Sequence, residues 1–295
     1  MPELRQLDGL LLTEPRAIGS YRVVRPIANG GVGTVFLVEG RSGARFAMKA
    51  LHEHLRTTRL AAALGAEGRL TLGLALENVV CAVDVLDRAN VDSGDGRQGV
   101  IDNVDGAPAI VMPFVEGQTL DVLAAADRSA QWRVLLDALH GLAACHAVEI
   151  VHRDICPSNL LIDATGAGHL IDFGLAWSPK GYVTDPEGGT QGTFAYLAPE
   201  QVRAEPPTPQ VDVFSCGVIA WEVAAGRRLH AYGNTARTLL DVTGRDAPSL
   251  ADDCPPALAD VIARALARDP AKRIGSARTF ACELREALTS CGALI

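Results

Sequence analysis

Two short segments in the second half of the chain combine side chains that could act on a hydroxyl group and a metal ion. Residues 151–162 read VHRDICPSNLLI, and residues 170–176 read LIDFGLA. The Asp154 carboxylate could accept or orient a hydroxyl proton, while the Asn159 amide oxygen and the Asp172 carboxylate are hard oxygen ligands of the kind that Mg²⁺ prefers. Each of the three could instead cap a turn, but their order and spacing together favour a chemical role.

A glycine-rich segment and a lysine in the first half of the chain suggest phosphate binding. Residues 27–36 read IANGGVGTVF, and glycines allow backbone N–H groups to approach phosphate oxygens. Taken alone, this segment could equally be a tight hairpin. Lys49 lies among strand residues that we expect to be partly buried, so its ammonium needs a partner. Glu67, on the helix that follows, is the candidate.

The pattern of apolar residues predicts the elements that position these groups. Short β-branched runs separated by Gly or Asp predict five strands between residues 21 and 115, and a segment rich in Ala, Leu, Glu and Arg predicts one helix over 57–76. After Gly117 the spacing is helical, interrupted by a strand pair around a turn at 165–168. The acidic, glycine-containing segment 87–107 predicts a long exposed hairpin loop. The predicted strands read YRVVRPI, TVFLVEG, ARFAMKAL, VVCAVDVL and PAIVMPFV.

Composition excludes several classes of partner. The net charge of −8 disfavours binding to nucleic acid or anionic lipid. Seven scattered cysteines without C-x-x-C spacing indicate reduced thiols, as in a cytoplasm. Glu3 and Asp8 precede a short apolar patch, which is atypical of a signal peptide, and no apolar run reaches the roughly 20 residues that a bilayer crossing needs. We therefore expect a cytoplasmic protein with neither nucleic acid nor membrane as a partner. The sequence indicates no oligomeric state.

Together these motifs resemble the eukaryotic-like protein kinases, and bacterial Ser/Thr kinases in particular, over about residues 21–290. The resemblance implies an α+β, two-lobed protein-kinase fold. It places a small antiparallel β lobe with one helix at 21–115 and a mostly α-helical large lobe at 116–290, with an N-terminal extension (1–20) and a C-terminal tail (291–295). The match includes the glycine-rich loop, Lys49, Glu67, the ENVV segment at 77–80, His152-Arg153-Asp154, Asn159, Asp172-Phe173-Gly174, Ala198-Pro199-Glu200, Asp212 and Arg273.

The same resemblance implies a role for each site residue, with ATP and Mg²⁺ as cofactors and proteins carrying Ser or Thr as substrates. Lys49, positioned by Glu67, holds the α- and β-phosphates, and Asp154 takes or steers the substrate hydroxyl. Asn159 and Asp172 ligate Mg²⁺, and Arg273 is the partner of Glu200. The nucleotide contacts implied are Ile27, Gly30, Gly31, Gly33, Val35, Ala47, Lys49, Met112, Pro113 and Val115.

Three residues depart from the family pattern. Ala28 occupies the first glycine position of the loop. Thr71 stands where the family has leucine or a similar residue, so we expect looser packing around Glu67. Cys156 replaces the lysine that Ser/Thr kinases carry two residues after the catalytic aspartate, which removes a cation from the γ-phosphate. We expect the Cys156 thiol to be neutral, to face the cleft, and to be alkylated more slowly when Mg-ATP is bound.

Two other functions compete with an active protein kinase. A pseudokinase that binds nucleotide and acts as a scaffold is favoured by Cys156 and Thr71. A small-molecule phosphotransferase is disfavoured because GTFAYLAPE, residues 192–200, resembles a platform for peptide substrates. Thr193 favours Ser/Thr over Tyr specificity. Arg153 can pair with a phosphate on the activation segment, and the expected autophosphorylation sites are Thr184 and Thr190.

Overall fold

The structure is a computed structural model that describes residues 17–55, 59–87, 91–92, 108–123, 127–183, 193–230 and 234–293. The chain forms two compact units. The first comprises residues up to 72 together with 82–114, and the second comprises 73–81 and all residues from 115 onward. The domain boundaries expected at residues 20, 115 and 290 stay predictions. Apart from residues 87, 91 and 92, the predicted loop over 87–107 lies outside the described residues.

In its described residues, the first unit is a seven-stranded antiparallel sheet with one α-helix. The strand order is β5-β7-β4-β3-β2-β1-β6. This arrangement confirms the predicted small β lobe, and it adds two short strands, β1 and β6, that the sequence pattern did not indicate. The elements are β1 (Ala17–Ile18), β2 (Tyr21–Asn29), β3 (Gly33–Glu39), β4 (Arg45–Leu51), α1 (Arg59–Thr71), β5 (Asp84–Leu86), β6 (Val91–Asp92) and β7 (Ala109–Pro113).

The fourth predicted strand is wrong in its first half. Only Asp84–Leu86 joins the sheet. Val79 and Val80 pair elsewhere: Val79 forms a parallel bridge with Leu170, and the Val80 N–H donates to the Leu170 carbonyl at 2.9 Å. Residues 79–81 therefore belong to the second unit, whereas Ala82 and Val83 belong to the first. The predicted helix over 57–76 is also too long at its C-terminus: it ends at Thr71, shortly before Gly73 at φ +75°.

Side chains of β4 alternate between two buried surfaces, as the period of a strand requires. Met48 packs with Ile18 and Val38 in one apolar cluster. Leu51 packs with Leu64 of α1 in another. Lys49 lies two residues before Leu51, so its side chain points to the same face of the sheet. This is the face that α1 covers.

The second unit is mostly α-helical, as expected. Its sheet pairs β10, β9 and β8 in that order, and β11 pairs with β12. Within the described part of the chain, none of the helices has the length and apolarity needed to cross a membrane. The elements are β8 (Gly117–Thr119), α2 (Arg128–Ala147), β9 (Leu160–Asp163), β10 (Gly168–Leu170), β11 (Trp177–Ser178), β12 (Gly181–Tyr182), α3 (Pro199–Val202), α4 (Gln210–Ala225), α5 (Thr235–Gly244), α6 (Pro256–Ala265) and α7 (Ala277–Ser290).

Helix α4 forms the centre of this unit. It is buried on nearly every side, from Val211 to Ala224, which explains why its sequence is apolar all round rather than along one stripe. It ends at Gly226, whose left-handed backbone (φ +66°) lets its N–H bond to the Glu222 carbonyl at 2.8 Å. The only acidic residue in its first turn, Asp212, is fully buried.

Candidate active site

Lys49 and Glu67 form an ion pair inside the first unit. Lys49 Nζ lies 2.9 Å from both carboxylate oxygens of Glu67, and the two side chains are 18% and 9% exposed. Helix α1 can approach the sheet this closely because a Cβ at Gly68 would lie 2.7 Å from Val85 Cγ2. A glycine that weakens the isolated helix therefore brings Glu67 within reach of the strand that carries Lys49.

The glycine-rich loop joins β2 to β3. Gly33 is required there, because a Cβ would lie 2.3 Å from the Ala50 carbonyl oxygen. The Gly30 N–H donates to the Gly33 carbonyl at 2.9 Å. Gly31 lies in open space, with nothing within 4 Å of a Cβ built on it. The loop is thus held at its base and is open at its tip.

Several residues expected to contact the nucleotide share one face of the sheet. Val35 is paired with Lys49, and Ala47 with Met112, in the registers of neighbouring strands. Directly paired residues point to the same face, so these four side chains line it together. Ile27 is half-buried in β2, while Pro113 is exposed at the end of β7 and Val115 lies in the second unit.

Thr71 is a buried anchor rather than a source of loose packing. It is 4% exposed, and its hydroxyl accepts the Ala82 N–H at 3.2 Å. It lies one turn after Glu67 on the buried face of α1. The family's apolar contact is replaced here by a hydrogen bond that ties the end of the helix to the chain entering β5.

We expect Thr71→Val to lower the free energy of unfolding by about 1–3 kcal/mol, because the isosteric side chain leaves the buried Ala82 N–H without its acceptor. Urea denaturation measures this loss. Thr289→Val, at an exposed position on α7, is the control and should change stability by less than about 0.5 kcal/mol. Equal stability of the two variants would show that the Thr71 hydroxyl holds nothing in place.

In the second unit, the Asp154 carboxylate is fixed at both oxygens. Asn159 Nδ2 donates to the Asp154 carbonyl at 2.8 Å and to its Oδ2 at 3.3 Å. The Thr193 N–H donates to Asp154 Oδ1 at 3.0 Å. The Thr193 contact was not predicted from the sequence, and it connects Asp154 to the segment that precedes Ala198-Pro199-Glu200. An oriented carboxylate of this kind can accept a hydrogen bond from a substrate hydroxyl.

A buried carboxylate holds the backbone beside Asp154. Asp212 accepts the N–H groups of His152 and Arg153 at 2.9 and 2.8 Å, and His146 Nε2 lies 2.8 Å from its Oδ2. This support maintains Arg153 at φ +69°, a conformation unfavourable for a residue with a side chain. His146 was not predicted from the sequence, since a histidine on a helix carries no signal of a partner 66 residues away.

Asp212 is ionised despite its burial. Burial alone would raise the pKa of its carboxyl group, but the hydrogen bond with His146, the electrostatic attraction of the His146 and His152 rings and the Arg153 N–H outweigh that effect and lower the pKa. A folded-state pKa below the unfolded value stabilises the protein above the unfolded pKa, about 3.9 for aspartate, and this stabilisation is lost as the pH falls through the folded value.

Asn159 and Asp172 offer a donor set that fits Mg²⁺. The Asn159 amide nitrogen is committed to Asp154, which leaves the amide oxygen as the possible ligand. Asp172 is exposed at φ +65°, and its Oδ1 accepts the Gly174 N–H at 3.1 Å. Within the described residues no three His, Cys, Asp or Glu side chains cluster to hold a metal. Two oxygen ligands from the protein suit Mg²⁺ when phosphate oxygens of a substrate complete its coordination shell.

Cys156 is buried, whereas a thiol open to alkylation was expected. It is 2% exposed, and its Sγ lies 3.2 Å from Ser158 Oγ. Burial and then the charge of Asp154 raise the pKa of the thiol, which confirms the expectation of a neutral group. The expectation of a thiol open to alkylation is wrong, because this small uncharged side chain is buried, whereas a lysine would extend to keep its charge solvated.

We therefore expect iodoacetamide to modify Cys156 much more slowly than the exposed Cys282, with or without Mg-ATP, because the reagent needs an accessible thiolate. Peptide mapping by mass spectrometry gives the two rates. Both cysteines should react alike in urea. If Cys156 in the folded protein were modified rapidly, and Mg-ATP slowed that reaction, the thiol would have to be accessible to the reagent after all.

Glu200 and Arg273 form the ion pair that the family resemblance implied, and it is buried. Arg273 Nη1 and Nη2 lie 2.6 and 3.0 Å from the two Glu200 oxygens. The same guanidinium donates to the carbonyls of Ala267 and Gln210 at 2.9 and 2.8 Å. This pair fixes the chain at the start of α3 to the segment before α7. Thr184 and Thr190 lie outside the described residues.

Comparison with known proteins agrees with this geometry. Residues 21–284 match the protein kinase domain family. Serine/threonine-protein kinase PknA of Mycobacterium tuberculosis is 31% identical over 269 residues, which cover 89% of this chain and 60% of PknA. A probable serine/threonine-protein kinase, pknA2 of Bifidobacterium longum, is 31% identical over 85% of this chain and 32% of its own. PknL of M. tuberculosis is 36% identical over 60% of this chain and 46% of its own.

The chain therefore belongs to the protein kinase domain family. Its similarity to PknA and PknL places it among relatives of the bacterial serine/threonine-protein kinases. It spans 60% of the length of PknA.

Proposed function

We propose that this chain transfers the γ-phosphate of ATP to Ser and Thr hydroxyls of protein substrates in a Mg²⁺-dependent reaction. The observation that carries the proposal is the Lys49–Glu67 pair, in which one ammonium contacts both carboxylate oxygens at 2.9 Å. A largely buried ion pair contributes little to stability compared with an apolar pair of similar volume. Its occurrence is best explained by the need for a positioned cation.

Each residue has a defined task in this proposal. Lys49 binds the α- and β-phosphates, and Asp154 orients the hydroxyl and accepts its proton. Asn159 and Asp172 hold Mg²⁺, which when bound neutralises charge on the phosphates. The remaining nucleotide contacts are Ile27, Gly30, Gly31, Gly33, Val35, Ala47, Met112, Pro113 and Val115.

The nature of the substrate is supported by the relatives and by the second unit. PknA and PknL are named serine/threonine-protein kinases. The buried Glu200–Arg273 pair orders the segment next to Thr193, which suits a platform for a peptide. We include autophosphorylation at Thr184 or Thr190 in the proposal. All seven cysteines are free thiols, which supports a reducing, cytoplasmic location.

The test is incorporation of labelled phosphate from ATP into a generic protein substrate and into the chain itself, followed by phosphosite mapping. Asp154→Asn is the control, because the amide keeps the size of the side chain and an oxygen for the Thr193 N–H. We expect phosphoserine and phosphothreonine with the native chain and a loss of roughly 10²-fold or more in the variant, typical of removing a general base. Equal incorporation by both would contradict the assignment of Asp154.

A second candidate function is a pseudokinase that binds nucleotide without turning it over. The observation in its favour is Cys156, which is buried and neutral and so supplies no cation. Binding of a fluorescent ATP analogue without any phosphate transfer would favour this candidate. Restoration of transfer by Cys156→Lys would identify the missing cation as the cause.

A further inference from the structure

The glycine-rich loop has a side-chain contact from outside its own hairpin. His52 Nε2 lies 2.8 Å from the Gly30 carbonyl oxygen. The His52 backbone N–H donates to the Val32 carbonyl at 3.1 Å. His52 is the residue directly after β4, so it continues the pairing of β3 with β4 into the loop. One residue thus contacts two carbonyls of the loop, two positions apart.

The chemistry of this contact defines which group donates. A carbonyl oxygen only accepts, so Nε2 of His52 carries the proton. Both the neutral tautomer with a proton on Nε2 and the imidazolium meet this requirement, and the contact does not need a charged ring. The neighbouring ring of His54 is stacked on His52, with centroids 6.0 Å apart and planes at 7°.

The loop has few other restraints at its tip. Gly31 is in open space and Val32 is 45% exposed. At its base, the Gly30 N–H bonds to the Gly33 carbonyl, and Thr34 Oγ1 donates to Asn29 Oδ1 at 3.1 Å. Glycines lose more backbone freedom than other residues when they are ordered. A contact that orders the loop before a ligand arrives lowers the entropic cost of binding.

We propose that His52 is a positioning residue for the glycine-rich loop, which it holds to the end of β4 through the Gly30 carbonyl. The strand β4 also carries Lys49, three residues earlier. Strand β4 and the residue directly after it therefore position both the phosphate-binding lysine and the loop. The identity of the ligand, Mg-ATP, rests on the proposed function, whereas the His52 contact exists without it.

The experiment compares three variants of the full chain. His52→Ala removes the donor, and His52→Gln supplies an amide N–H at a similar distance from the backbone. His54→Ala removes the stacked ring and leaves the donor in place. Amide hydrogen exchange of peptides covering residues 27–36 is measured without nucleotide. The affinity for the nucleotide is measured with a fluorescent ATP analogue in the presence of Mg²⁺. Where transfer is observed, KM for ATP and kcat are measured separately.

We expect faster exchange over the loop and roughly two- to tenfold weaker binding for His52→Ala, the effect of one net hydrogen bond. KM for ATP should rise by a similar factor with little change in kcat. His52→Gln should recover most of both effects, and His54→Ala should resemble the native chain. Unchanged exchange in His52→Ala, or an equal defect in His52→Gln, would overturn the proposal. Absent phosphate transfer in the native chain would count against the proposed function only, since exchange still reports on the contact.

Discussion

Lys49→Met is expected to reduce phosphate transfer by at least roughly 10²-fold, the cost of removing one positioned electrostatic donor from an active site. The methionine keeps much of the length and apolar volume of the lysine stem but has no charge. Steady-state incorporation of labelled phosphate at saturating ATP measures the loss. Lys272→Met, at an exposed position before α7, is the matched control and should retain full activity.

A loss of fold in Lys49→Met must be distinguished from a loss of chemistry. The substitution removes the ammonium partner from Glu67, whose side chain is 9% exposed, so some destabilisation is expected. Glu67→Gln in the same background relieves that charge. The double variant should recover stability in urea denaturation and remain inactive. Recovery of activity along with stability would show that Lys49 serves the fold alone.

The pairing of Lys49 with Glu67 could be predicted because both ends have a sequence signal. A lysine with apolar neighbours in a strand needs a counter-charge, and the next element holds a glutamate. Period-two alternation then places Lys49 with Leu51 on the face that α1 covers. What could not be predicted was how closely the helix lies, which depends on Gly68 meeting Val85 and Ile110.

Two residues with small polar side chains were misjudged from the sequence. Thr71 was expected to loosen its surroundings, but its hydroxyl bonds to the Ala82 N–H. Cys156 was expected to be open to alkylation, yet it is buried beside Ser158. In both cases the residue type is compatible with two environments, and only the tertiary packing decides between them.

The pattern of apolar residues also could not predict the shortest strands of the sheet. The strands β1 and β6 have two residues each, and Ala17 pairs with Asp92 across 75 positions of sequence. Two residues are too few to show a period, so no pattern marks them as strands. Val79 and Val80 carry a clear strand signal, but they bond to Leu170 instead of the sheet of the first unit.

The second large effect is expected on stability rather than activity. Arg273→Met should lower the free energy of unfolding by about 3–5 kcal/mol, the cost of leaving one partner of a buried ion pair uncompensated. Arg273 and Glu200 side chains are 0% and 4% exposed, so water cannot replace the guanidinium. The carbonyls of Ala267 and Gln210 lose a donor as well.

The second unit provides a matched control for this effect. Arg264 pairs with two carboxylates, those of Asp260 at 2.9 Å and Glu283 at 2.6 Å, but its side chain is 44% exposed. Because solvent screens such a pair, Arg264→Met should cost less than about 1 kcal/mol. Urea denaturation of the two variants compares the same substitution with and without burial.

A double substitution distinguishes the effect of an unpaired buried charge from the effect of lost side-chain volume. Replacing both partners, as in Arg273→Met/Glu200→Leu, leaves no buried charge, and apolar replacement of a buried pair is often neutral or stabilising. We therefore expect the double variant to recover a large part of the stability that Arg273→Met loses. If Arg273→Met were no less stable than Arg264→Met, the Glu200 carboxylate would have to be solvated in the folded chain. The segment from Thr193 to α3 would then lack the buried attachment on which its role as a peptide platform depends.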